Sequence, residues 1–303
     1  MFNIMFMGTP DFASVSLELL SETFNVSCVV CQPDKPKGRG GKMSMPPVKE
    51  EAIKKGITVY QPETLKDGAF AEVLEKEKPD IIAVVAYGKL LPKYVLDYPK
   101  YGCINLHGSI LPKYRGSAPI QWSVINGDKT AGVTTMFMSE GLDSGDILEV
   151  YETPIGETET AGELFDRLAV EGAKLLKHTI ENIENITPVP QDESLATKAP
   201  MLNKEMGKIT FAKSAKELYN LIRGLNPWPV AYINTNKGTL KVYESRVLDE
   251  KPSESFGMRT GKGLEFQTPC GRIEFTSVQL QGKKRMSAEE FLRGNGNIVF
   301  EED

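Results

Sequence analysis

Through the first half of the chain, short apolar runs alternate with stretches whose apolar positions recur at helical spacing. Phe2–Gly8, Asn25–Cys31, Ile81–Ala86, Gly102–Leu106 and Val133–Met138 are rich in Ile, Val, Met and Phe, as strands buried on both faces are. Between them, Asp11–Ser21 reads as a helix opened by the Thr9-Pro10 turn. Ala161–Glu184 reads as a longer helix with Leu164, Leu168, Leu175, Leu176 and Ile183 on its apolar stripe. Strand–helix alternation of this kind predicts an α/β domain with a doubly wound, mostly parallel sheet. The turn after the first strand is Gly-Thr-Pro without a G-x-G-x-x-G behind it. The fold is therefore expected to be Rossmann-like but without a pyrophosphate cradle, which argues against an NAD or FAD enzyme.

The pattern changes after a polar, Pro-rich stretch from Thr187 to Pro200. A helix over Ser214–Arg223 leads into an Asn-Pro-Trp-Pro turn. Short strands follow at Ala231–Asn234, Leu240–Leu248, Leu264–Gln267 and Arg272–Leu280. Several short strands in about 100 residues predict a small β-barrel of oligonucleotide-binding (OB-like) type. The expected organisation is a catalytic domain over 1–186, a linker over 187–203 and a β-barrel domain over 204–303.

Composition narrows the class. The 303 residues are 40% hydrophobic and 25% charged, an ordinary composition for two folded domains. No apolar run approaches the roughly 20 residues of a membrane helix. The apolar Met1–Met7 run lacks a basic flank and a cleavage-like site, so it is read as a strand rather than a signal peptide, and the expected location is the cytoplasm. Cys28 and Cys31 form a C-x-x-C within a strand pattern, and no second pair completes a zinc site, so core packing is the expectation. No other cluster offers metal ligands, and no metal is expected.

Charge distribution says more than net charge. The total is −5, yet residues 204–303 carry 16 Lys or Arg against 13 Asp or Glu, while the first 203 residues carry 20 against 28. That asymmetry suits a C-terminal domain that approaches phosphate. Lys35, Lys37, Arg39, Lys42 and Lys49 fall in a stretch that has no acidic residue after Asp34 and is loosened by Gly38, Gly40 and Gly41. Lys283, Lys284 and Arg285 form a second cluster at a strand end. Either can be a solvated surface or a set of phosphate contacts whose affinity weakens with salt.

The candidate chemistry lies between Asn105 and Asp146. Side chains on a strand alternate, so Asn105 and His107 share one face and Leu106 turns into the core. Asp143 sits in a Gly-Leu-Asp-Ser-Gly turn. An amide that donates to a developing oxyanion, an imidazole that carries a proton and a carboxylate that holds the imidazole tautomer suit acyl transfer. Asn and His before a Gly-Ser turn can also simply satisfy backbone groups. The second histidine, His178, falls on the polar side of its helix and is given no role.

The same segment adds Gly108, Ser109, Pro112, Arg115, Gly116 and Pro119, and as a whole it resembles the catalytic signature of the folate-dependent formyltransferases. The resemblance covers essentially the whole chain. Met5–Ala13 (MFMGTPDFA) resembles the family's opening strand and turn. Pro33–Lys49 resembles the basic loop of its tRNA-acting branch, Ala86–Pro92 (AYGKLLP) its folate-side loop, and Leu221–Tyr232 (LIRGLNPWPVAY) the start of its C-terminal domain. Val230, where Gly is usual, and Ile110, where Leu is usual, depart from the pattern without touching a reacting group.

The resemblance implies formyl transfer from 10-formyltetrahydrofolate to the α-amine of methionyl initiator tRNA by a monomer. It implies Asn105, His107 and Asp143 as the catalytic trio. It places Ser109, Ile110, Leu111 and Pro112 at the folate, with Ala86, Tyr87 and Gly88 nearby. The tRNA is implied to meet Lys35, Lys37, Arg39 and Lys42, with Arg39 as the key contact, and Lys283, Lys284 and Arg285 are further candidates. Relatives with a small amine or water as acceptor share the trio and stay open, as does a non-catalytic RNA-binding role. The basic loop and the C-terminal domain favour tRNA.

Overall fold

The computed structural model describes residues 2–37, 41–255, 257, 259, 261 and 263–301. The chain opens with β1 (Asn3–Gly8), α1 (Asp11–Thr23), β2 (Asn25–Val30), the short strands β3 (Lys35–Lys37) and β4 (Lys42–Ser44), α2 (Pro47–Lys54) and β5 (Thr58–Tyr60). It continues through α3 (Ala71–Glu77), β6 (Ile81–Val85), α4 (Lys93–Leu96), β7 (Cys103–His107), β8 (Arg115–Gly116), α5 (Pro119–Ile125), β9 (Thr130–Phe137), β10 (Ile147–Pro154) and α6 (Ala161–Glu181). The remainder is β11 (Lys198–Ala199), α7 (Ala215–Gly224), β12 (Ala231–Thr235), β13 (Gly238–Pro252), β14 (Glu265–Gln267), β15 (Cys270–Leu280), β16 (Met286–Ser287) and α8 (Ala288–Gly294).

Two compact units share these elements. The first comprises Met1–Gly116, Gly132–Thr153 and Phe165–Ala199, and the second Ser117–Ala131, Pro154–Leu164 and Pro200–Asp303. Seven strands form the main sheet in the order β10-β9-β7-β6-β1-β2-β5. The pairs β1–β2, β1–β6, β2–β5 and β6–β7 are parallel, and β7–β9 is antiparallel. All five residues of β6 and of β7 are buried, which is why their sequences are apolar throughout instead of alternating.

The strand order reverses at β1, with β2 and β5 to one side and β6 and β7 to the other. In open α/β sheets the ligand crevice opens at the carboxyl ends of the strands beside that reversal. Here those ends are Gly8, Val85 and His107. The Thr9 hydroxyl and the Gln32 side-chain amide both donate to the Tyr87 carbonyl, tying the carboxyl ends of β1, β2 and β6 together.

The α6 stripe is Leu164, Leu168, Ala169, Ala173, Leu176 and Ile180; Leu175, placed on it by spacing, is only half-buried. This helix lies so close to the sheet that a Cβ on Gly172 would stand 2.9 Å from Leu106 Cδ2. Leu106 is thus fixed from behind, on the face opposite Asn105 and His107. His178 is exposed and pairs with Glu149 at 2.9 Å. Cys28, Cys31 and Cys103 are free and buried, and burial pushes the Cys28 and Cys103 thiols up to about 12 and Cys31 to about 11.

The second unit is an antiparallel sheet, β12-β13-β15-β14 with β16 paired to β15. The 15-residue β13 shifts register repeatedly against β15, and such irregularities bend and twist a strand. The sheet encloses Phe211, Phe266 and Phe275, whose rings lie 4.6–6.3 Å apart. Helix α7 begins with a capping box between Ser214 and Glu217, and its buried Arg223 donates to the carbonyls of Gly156 and Glu159. Among the described residues, no helix is long and apolar enough to cross a membrane.

Candidate active site

Strand β7 brings Asn105 and His107 to one face near its carboxyl end, 8% and 6% exposed. Among the described residues, no hydrogen bond engages the Asn105 side-chain amide. A buried amide of this kind has its donors free for an incoming oxygen. His107 is held by a main-chain group: its Nε2 lies 2.9 Å from the Tyr114 carbonyl oxygen. A carbonyl only accepts, so Nε2 carries a proton, and in the neutral ring Nδ1 presents its lone pair. Asp143 Oδ2 faces Nδ1 at 3.7 Å, too far for a hydrogen bond. The carboxylate is therefore an electrostatic partner, and the Tyr114 carbonyl rather than Asp143 fixes the tautomer, which corrects the expectation from sequence.

Two residues flanking the imidazole stand in the left-handed backbone region, Tyr114 at φ 62° and Asp143 at φ 48°. Such residues cost about 1–3 kcal/mol each and persist where surrounding contacts over-determine them. The Asp143 carboxylate accepts from the Gly116 N–H at 2.8 Å. Its turn returns to β9 so closely that a Cβ on Gly145 would lie 1.8 Å from the Phe137 carbonyl oxygen, so no other residue fits there. Gly116, at φ 127°, leaves room for β11, since a Cβ would lie 2.6 Å from the Ala199 carbonyl oxygen.

Three residues that sequence reasoning missed complete the surroundings. Gln191 donates to the carbonyls of Asp143 and Gly145 at 3.0 and 2.7 Å and accepts from Arg115. Thr197 Oγ1 accepts from the Tyr114 N–H at 2.9 Å. Thr134 Oγ1 donates to the Ser109 carbonyl at 2.6 Å and accepts from the Leu111 N–H. Gln191 and Thr197 lie in the Pro-rich stretch read as a linker, where nothing local marks a contact with residues far away in the chain. Arg115 also forms a paired contact with Glu193, which raises the guanidinium pKa and lowers that of the carboxyl.

The folate-side candidates divide. Ser109 is buried, and its hydroxyl donates to the Lys113 carbonyl at 2.6 Å. Leu111 is buried, Pro112 is half-buried, and Ile110 packs against Gly132. Ala86 and Gly88 are exposed, in left-handed conformations at φ 47° and 81°, at the carboxyl end of β6. Tyr87 is the exception: its ring is buried among Met5, Met7, Cys28 and Val30, and burial pushes its hydroxyl up to about 12. Its side chain therefore belongs to the core, on the face of Ile82 and Val84, because the left-handed Ala86 breaks the alternation of β6 and turns residue 87 to that face. At this end of the sheet, residues 86 and 88 and the side chain of Leu90 are exposed.

Among the basic candidates, Arg39 lies outside the described residues, and Lys37 and Lys42 are described for their backbone only. Strands β3 and β4 pair antiparallel, so the segment read as a loop is a hairpin. Lys35 is exposed, while Lys49 is bound to Asp34 and Gln61 at its base. Lys283 and Lys284 are exposed. Arg285 is already engaged: it bonds Glu244 and Ser277 and stacks 4.5 Å above Tyr243. No cluster of metal-ligating side chains occurs among the described residues.

Known proteins agree with this architecture along the whole chain. The Formyl transferase family matches residues 2–180, and the Formyl transferase, C-terminal domain family matches 201–296. A methionyl-tRNA formyltransferase of Clostridium novyi is 49% identical over 298 residues, covering 96% of both chains. One of Agathobacter rectalis is 50% identical over 297 residues, again with 96% of each chain covered. Among solved structures, an N-formyltransferase from Helicobacter canadensis superposes with TM-score 0.69 at 23% identity, over 91% of this chain and 99% of that one. The chain belongs to the formyl transferase family, in its methionyl-tRNA formyltransferase branch.

Proposed function

We propose that the protein transfers the formyl group of 10-formyltetrahydrofolate to the α-amine of methionyl initiator tRNA, giving N-formylmethionyl-tRNA for translation initiation in the cytoplasm. The full-length likeness to methionyl-tRNA formyltransferases supports the overall reaction. The observation that carries the mechanism is the buried Asn105–His107 pair with Asp143 opposite Nδ1. The donor supplies an activated formyl carbon; the protein supplies orientation, a proton acceptor and an oxyanion donor.

Attack requires a neutral amine that loses a proton as it bonds to the formyl carbon. With Nε2–H committed to Tyr114, Nδ1 is the nitrogen that accepts this proton, directly or through one water, and returns it to the departing folate nitrogen. The imidazolium so formed would face Asp143 at 3.7 Å. At about 4 Å, opposite unit charges attract by about 4 kcal/mol at an effective dielectric constant of 20. The Asn105 amide, without a partner among the described residues, donates to the formyl oxygen as the carbon becomes tetrahedral. A donor of this kind lowers the barrier by about 2.7–4 kcal/mol.

In the same reading, the crevice beside Ala86, Gly88 and Ser109–Pro112 holds the folate, and the basic hairpin together with Lys283 and Lys284 receives the tRNA. The first 186 residues act as catalytic body and residues 204–303 as an accessory tRNA-binding domain, in a monomeric enzyme. A formyl-transfer assay with methionyl initiator tRNA, methionyl elongator tRNA and glycinamide ribonucleotide tests the assignment. Product from the initiator alone is expected. Formylation of glycinamide ribonucleotide, with neither tRNA a substrate, would overturn the acceptor and return the basic hairpin to a solvated surface.

A further inference from the structure

Each ring nitrogen of His107 faces a group that is itself held by residues 191–199. Toward Nε2, the Tyr114 carbonyl is set by the Tyr114 N–H donating to Thr197 Oγ1 and by β8 pairing with β11. The Arg115 N–H also donates to the Thr197 carbonyl at 2.8 Å. Toward Nδ1, the Asp143 turn is fastened by the two carbonyls that accept from Gln191. The Gln191 carboxamide is fully used, because its oxygen accepts from Arg115 Nε and NH2 at 3.0 and 2.7 Å. Arg115 in turn grips Glu193, two residues further along. One short strap therefore fixes both left-handed residues on either side of the imidazole.

We infer that Gln191 is a positioning residue for the transfer reaction, acting with Arg115 and Thr197 to set the separation of Asp143 from Nδ1 and the tautomer of His107. The inference rests on reading His107 as the proton acceptor. Gln191 touches no reacting atom. Its amide sits where a main-chain turn would otherwise relax from its left-handed conformation, carrying the Asp143 carboxylate with it. Glutamine is the required residue type, since the position needs two donors for carbonyls and an acceptor for a guanidinium on one planar group. A glutamate keeps the acceptor and loses both donors.

The chain's two histidines make a direct measurement possible. In a His178→Gln background, which removes the exposed histidine paired to Glu149, nitrogen NMR of labelled imidazole reads His107 alone. The parent should show the Nε2–H tautomer. Gln191→Glu, which retains the Arg115 contact, should stay folded and shift the ring nitrogen signals. Its kcat should fall on the order of 10- to 100-fold, as misplacement of a reacting group does, with KM for the folate donor and for tRNA unchanged within about two-fold. Thr197→Val tests the Tyr114 side of the strap and should disturb the tautomer in the same way.

A folded Gln191→Glu protein whose ring signals and kcat match the parent would overturn the inference. So would a variant that loses thermal stability while its folded fraction keeps parental signals and kcat, since that is the mark of packing alone. Should the parent transfer no formyl group to tRNA, a ring shift in the variant would still uphold the strap and overturn only the chosen reaction.

Discussion

Asn105 and His107 carry distinct and separable effects. Asn105→Ala removes a donor that has no partner among the described residues, so thermal stability should hardly change, while kcat drops by about 10²–10³-fold as for loss of an oxyanion donor. Comparing kcat with the melting temperature decides this; a large loss of stability would mean that the amide is structural. His107→Ala should abolish transfer while donor binding, measured by titration calorimetry, persists. The pair Asn105 and His107 was legible from sequence because alternation alone puts residues two apart on one face. The hydrogen-bonded partner of His107 was not, because it is the carbonyl of Tyr114, and every residue carries a carbonyl. The burial of the Tyr87 ring was not legible for a related reason: a resemblance assigns a loop to a ligand without saying whether the side chain or the backbone faces it.

At the scale of elements, the buried strands β1, β2, β6 and β7 were plain because both their faces are covered, so apolar residues run on without interruption. Strand β10 went unread because its burial alternates irregularly, and α5 because seven residues give little periodicity. The capping box of helix α7 makes a pH prediction. Bonds from Ser214 hold the Glu217 carboxyl below its ordinary value. A depressed carboxyl stabilises the folded state above its unfolded pKa, near 4.3, and that contribution fades as pH falls through the lower folded value. Ser214→Ala should cost about 1 kcal/mol at neutral pH. The difference from the parent should shrink on acidification below about pH 4. Denaturant melts at two pH values check both parts; a pH-independent difference would show that the carboxylate is not involved.

At the scale of the whole molecule, the net charge of −5 gives no hint of an anionic partner, whereas the placement of charge does. Lys35, Lys283 and Lys284 are exposed, while Arg285 and Lys49 are spent on Glu244 and Asp34. Phosphate contacts release counterions, so tRNA affinity should fall linearly with salt on logarithmic axes, by roughly one unit of slope per contact. Raising salt should therefore increase KM for methionyl-tRNA while leaving KM for the donor and kcat nearly constant. Lys283→Ala with Lys284→Ala should reduce the slope by about two if both meet phosphate. Arg39→Ala should raise KM for tRNA well beyond its effect on donor binding. Arg285→Ala is the informative contrast, since its guanidinium is held by Glu244, Ser277 and the Tyr243 ring. Its loss should loosen β13 against β15 and lower stability, with the salt slope unchanged. A slope that fell for Arg285→Ala but not for the lysines would mean that tRNA breaks the Glu244 pair on binding and that the accessible cations are bystanders.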